Sequence, residues 1–110
     1  MNERIGTEPP TGLLQHWVHS FEEDSPGATV YRPDGFAFPP ARGRRGMEFA
    51  EGGVFVDHPL GRGDAPDSVR GRWRMSGEAR VSVSFPGTGR AGRELVILAC
   101  DEKVLRVAVA

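Results

Sequence analysis

The sequence predicts an all-β fold: an antiparallel, up-and-down closed barrel of about eight short strands. Three observations lead there. Fifteen glycines and nine prolines cut the chain into pieces too short for helices of ordinary length. The stretch "VRGRWRM" alternates strictly, with Val69, Gly71, Trp73 and Met75 on one face and Arg70, Arg72 and Arg74 on the other, the period of a half-buried strand. Turn-forming residues separate one apolar run from the next throughout the second half, which joins neighbouring strands by hairpins. Closing such a sheet removes its exposed edges.

Each element follows from its residues. "MNERIGTEPPT" is polar and rich in turn formers, so residues 1–11 read as a flexible lead-in and residues 12–110 as one barrel domain. "LLQHWVHSF" is the first strand, "EEDSPG" a turn, and "ATVYR" a short strand closed by "PDG". "FAFPPARG" is an irregular loop, because paired prolines cannot donate in a central ladder. "RRGMEFA" and "VFVDH" flank the hairpin signal "EGG", and "HPLGRGDAPD" is a loop. "VRGRWRM", "ARVSVSF", "RELVILAC" and "KVLRVAVA" follow, separated by "SGE", "PGTGRAG" and "DE".

Composition narrows the function classes. A formal charge of −1 argues against a dedicated binder of nucleic acid or of a membrane surface. Cys100 is the single cysteine, which excludes an internal disulfide and a cysteine-based zinc site. The opening residues show no apolar leader, and no run approaches the roughly 18 apolar residues of a membrane helix. A cytoplasmic, soluble protein is expected. The cations are arginines apart from Lys103.

The sequence also resembles a lipocalin-like small bacterial β-barrel of the calycin type. Trp17 sits in the first strand. "VYRPDGFAFPPARGRRGMEFAEGGVF" is similar to the segment of such proteins that holds a "YRP", a proline pair and an "RGR" before a strand and a glycine turn. "GRW", Gly71 to Trp73, is similar to their later glycine-x-tryptophan strand. The resemblance spans roughly residues 13–110. Two features depart from it: Gln15 stands where the family usually has glycine, and the chain is expected to lack the C-terminal helix. The resemblance implies a barrel open at one end, often with a small apolar ligand inside. With the last strand beside the first, it also implies that Arg106 stacks over Trp17.

On this reading the barrel binds an apolar or amphipathic small molecule. Trp17, His19, Tyr31, Met47, Phe49, Trp73, Met75, Val83 and Phe85 would line its cavity. "PDGFAFPPARG" would form part of the mouth, where Arg42 or Arg44 could meet an anionic head group. The alternatives are an isomerase or cyclase using the same cavity, and a solid-core interaction module, since short barrels can fill with side chains. For catalysis the acid–base candidates are His19, Tyr31, Asp57 and His58. On a strand His16 and His19 point to opposite faces, so their spacing gives no chelate. No metal or other cofactor is expected, with His16 and His58 exposed and His19 a hydrogen-bonded interior or rim residue.

Other motifs are set aside. "GTGRAG" has the glycine spacing of a dinucleotide loop but precedes a strand, where no helix N-terminus receives a phosphate. "RGD", Arg62 to Asp64, is a three-residue match of no weight. Arg70, Arg72 and Arg74 lack interleaved aromatics and are expected to pair with acids on neighbouring strands. Cys100 lies in an apolar run, as an inert core thiol does. "LVILAC" and "VLRVAVA" are apolar at both strand phases, which points to a homodimer through residues 93–110.

Overall fold

Every second side chain of a strand faces the same side, and closing the sheet gives that side one interior to fill. The computed structural model describes residues 8–59 and 68–109. Its strands are β1 (His16–His19), β2 (Thr29–Pro33), β3 (Gly46–Ala50), β4 (Val54–His58), β5 (Val69–Gly77), β6 (Arg80–Phe85), β7 (Arg90–Cys100) and β8 (Leu105–Val109). They form one closed barrel, ordered β1-β2-β8-β7-β6-β5-β4-β3, with every neighbour antiparallel. The helical elements among the described residues are two short 3-10 turns, Phe21–Glu23 and Glu51–Gly53. No described helix is long and apolar enough to cross a membrane. The "RGD" tripeptide lies outside the described residues.

Closure, strand number and antiparallel pairing are as expected, and β3 to β8 form an uninterrupted meander. The seam differs. β1 lies between β2 and β3, so both of its edges are taken, and β8 pairs with β2 instead. Arg106 stands opposite Val30, on the exposed side of β8. The expected stack of Arg106 on Trp17 is therefore not made. The indole of Trp17 is fully buried and donates from Nε1 to the Leu13 carbonyl at 2.9 Å.

That strand order also redirects the proline-rich loop. β2 ends and β3 begins at opposite ends of β1, which lies between them. The Asp34 amide donates to the His16 carbonyl at 3.2 Å and the His19 amide to the Arg45 carbonyl at 2.9 Å. Residues 34–45 thus pass over the outer side of β1 as a strap, where a mouth loop was expected. Arg44 fastens the strap. Its terminal nitrogens donate to both Glu22 carboxylate oxygens and to the carbonyls of His19 and Pro39. Its guanidinium lies between the rings of Phe21 and Phe38, 4.6 and 4.7 Å from their centroids, the cation–π geometry.

The interior is packed with side chains. Leu13, Trp17, Met47, Phe49, Phe55, Val81, Val83, Phe85, Leu95, Leu105 and Val107 belong to one buried cluster. Gly71 has a steric task there. A Cβ at this position would stand 2.7 Å from Cδ1 of Phe85, so the missing side chain lets the Phe85 ring lie against β5. The apolar excess of β7 is partly explained by a bulge between Ile97 and Ala99. A bulge resets the alternation, and Leu95, Ile97 and Cys100 all pack on the core. Val96 and Leu98 stay on the outer face, Leu98 at 48% exposure. The residues just before β1 are tied down as well: the Gln15 side-chain amide donates to Gly12 and Glu102 carbonyls, and Leu13 is fully buried.

Candidate functional site

The two ends of the barrel differ. At one end β3 turns into β4 through Glu51–Gly53, with Gly52 and Gly53 both at positive φ, a conformation that needs no Cβ. The small residues leave the indole of Trp73 uncovered on one side. A groove of about 570 Å³ opens there, lined by Pro9, Leu14, Gly52, Gly53, Trp73 and Met75, with Glu51 and Arg74 beside it. Trp73 is fixed by donation from Nε1 to the Ala50 carbonyl at 2.8 Å and by an edge-to-face contact with Phe49 at 5.7 Å. The floor is therefore rigid and apolar, with the Glu51 carboxylate and the Arg74 guanidinium at its edge. Such a groove can take a flat apolar body with a polar end.

The opposite end is bridged. Asp57 on β4 is 7% exposed. Arg90 reaches its carboxylate from β7, and Arg93 approaches the same oxygen at 3.4 Å. Both guanidinium groups lie over the Phe85 ring, at 4.9 and 5.9 Å. This ion-paired clasp spans β5 and β6. His19 is beside Tyr31, ring centroids 5.5 Å apart, and its Nε2 is 2.9 Å from Asp24 Oδ2. Burial pushes the Tyr31 phenol up, while Arg45 and Arg93 oppose the shift. The phenol is neutral at ordinary pH and lies outside the Trp73 groove.

The structure thus separates the expected site residues. Trp73 and Met75 reach the groove. Trp17, Met47, Phe49, Val83 and Phe85 fill the interior, each under 5% exposed. His19, Tyr31 and Asp57 belong to the bridged half. His58 points outward on β4, where its ring stacks 4.6 Å from His16. Arg42 is exposed on the strap, and the donors of Arg44 are occupied within the chain. Arg70, Arg72 and Arg74 are exposed but have no carboxylate partner among the described residues, because the register sets Val56, Val54, Ser84 and Ser82 beside them. Phe85 to Arg90, around the "GTG" of the glycine-spaced motif, is the β6–β7 turn.

Sequence reasoning missed Leu14, Gly52 and Gly53 as groove residues, since only the β3–β4 turn's proximity to β5 brings them together. Fold and groove define a small closed antiparallel β-barrel with an apolar recess at one end. The chain matches no protein-family model, no curated protein and no solved structure.

Proposed function

We propose that the protein is a lipocalin-like barrel that binds an amphipathic small molecule at its open end, on Trp73, outside the packed interior. The observation that supports this is the groove of about 570 Å³, within the ~300–1,000 Å³ range of small-molecule sites. An apolar body would lie on Trp73, Met75 and Leu14. Arg74 or Glu51 would face the polar end. Two copies are proposed to meet through the outer face of β7 and β8, away from the groove.

Tryptophan emission tests the reading. Titration with fatty acids, retinoids and polycyclic aromatics is expected to give a saturable change at one ligand per chain for one class. Leu14→Asp puts a charge on the floor without touching the core, since Leu14 is 40% exposed. It should weaken that ligand about tenfold, as roughly 1.4 kcal/mol would. A flat response across the panel, or equal binding by Leu14→Asp, overturns the proposal.

A further inference from the structure

On the outer wall β3 runs between β1 and β4, and three side chains converge over it. His16 lies opposite Glu48, and His58 lies opposite Gly46, two residues before Glu48 on the same face. Gly46 has no side chain, so the imidazoles from β1 and β4 meet above it, ring centroids 4.6 Å apart and planes 32° apart. A nitrogen of each ring and an oxygen of Glu48 lie within 4.8 Å of one another. His58 Nε2 is 3.6 Å from Glu48 Oε1. Ligands about 2.0–2.1 Å from a tetrahedral zinc ion stand ~3.3 Å apart, so small side-chain rotations close the set.

Two observations go beyond proximity. His58 Nε2 is shielded from solvent and has no hydrogen-bond partner among the described residues. An occluded polar atom left unpaired is destabilising, and native structures rarely leave one so. The other nitrogen of the same ring is engaged, with Nδ1 3.0 Å from Ser68 Oγ. With Nδ1–H donating to the hydroxyl, Nε2 holds a free lone pair aimed at Glu48, the arrangement that orients metal-ligating histidines. On His16, Nδ1 has Asp34 Oδ2 at 3.9 Å on its outer side, a carboxylate placed to play the same part.

We propose that His16, Glu48 and His58 form a three-ligand site for a divalent zinc-class ion on the outer wall of the barrel. Two imidazoles and one carboxylate suit zinc among the common ions, and three protein ligands leave one position for water. The ion would neutralise the Glu48 carboxylate, satisfy His58 Nε2 and tie β1, β3 and β4 together. This site is independent of the groove.

The test uses the full chain, stripped with a chelator and titrated with Zn²⁺ by calorimetry and with Co²⁺ by visible absorption. One equivalent is expected, with cobalt d–d bands of a four- or five-coordinate ion and a rise in melting temperature on adding Zn²⁺. His58→Ala, His16→Ala and Glu48→Gln should each weaken Zn²⁺ about 100-fold, and Ser68→Ala about tenfold. Cys100→Ser should bind as the parent does, since burial pushes that thiol up to about 11 and keeps it protonated. All three ligands are on the outer wall, so melting of each metal-free variant verifies its fold, and Glu48→Gln preserves volume. Absence of saturable uptake overturns the proposal, as does unchanged affinity in the His16→Ala/His58→Ala double variant.

Discussion

Trp17 and Leu13 are joined by a hydrogen bond from the indole Nε1 to a main-chain carbonyl four residues earlier, at 2.9 Å. Both residues are fully buried, so this bond fixes the chain on the core just before β1 begins. Trp17→Phe removes the donor, leaves the Leu13 carbonyl with the Gln15 amide alone, at 2.9 Å, and opens a void. A loss of about 3 kcal/mol is expected, read as a lower urea midpoint with an unchanged slope.

Gly71→Ala should cost a comparable amount for a different reason. The added methyl would stand 2.7 Å from the Phe85 ring and close to the Ser84 carbonyl. The carbonyl belongs to the β5–β6 ladder and cannot retreat without breaking it. About 2–3 kcal/mol of destabilisation is expected, and Gly71→Ala with Phe85→Leu should recover part of it. Additive losses in the double variant would refute the steric account.

Acid stability depends in part on Glu23. Hydrogen bonds from Arg32, then from Ser20, hold its carboxyl down at about 2 from an ordinary 4.5. A carboxylate with a depressed folded-state value contributes stability that is fully present above about 4.5 and is lost as pH falls toward 2. The pair is partly solvent-exposed, so the contribution is ~1 kcal/mol at most. Melting temperatures of the parent and Glu23→Gln should therefore differ at pH 6 and converge by pH 2. A constant gap across that window would exclude the linkage.

The outer face of β7 and β8 gives a fourth expectation. Leu98 is 48% exposed there, beside Val96 and Ala108. Sedimentation at high concentration is expected to show a dimer, and Leu98→Glu a monomer with the same circular dichroism. A parent that remains monomeric would remove this surface from consideration.

The strands were legible where alternation is long and uninterrupted. "VRGRWRM" and "ARVSVSF" state their own inward faces, and the inward set Val81, Val83 and Phe85 is buried. The seam was not legible. Hairpin signals specify which strands are consecutive, but nothing in Leu13 to Phe21 says which edge of the β1–β2 hairpin meets β8. For the same reason the pairing of Arg44 with Glu22 could not be read, since it depends on the strap crossing β1. His16, Glu48 and His58 were invisible as a set. Each is unremarkable in its own strand, and only the β1–β3–β4 adjacency, with Gly46 vacating the space between the rings, brings them together.

The placement of β2 beside β8 governs the order in which the barrel can be built. β3 to β8 each pair with the next strand along the chain, so they can zip up from near-neighbour contacts as the chain emerges. The β1–β2 hairpin is synthesised first, yet one of its edges finds its partner only when Leu105 to Val107 exist. Until then Val30 and the edge of β2 stay unpaired, and the closing loop spans most of the chain, with the entropy that entails. Completion of the barrel therefore waits for the eighth strand, and a ribosome-bound chain lacking β8 would present an open sheet edge to its surroundings.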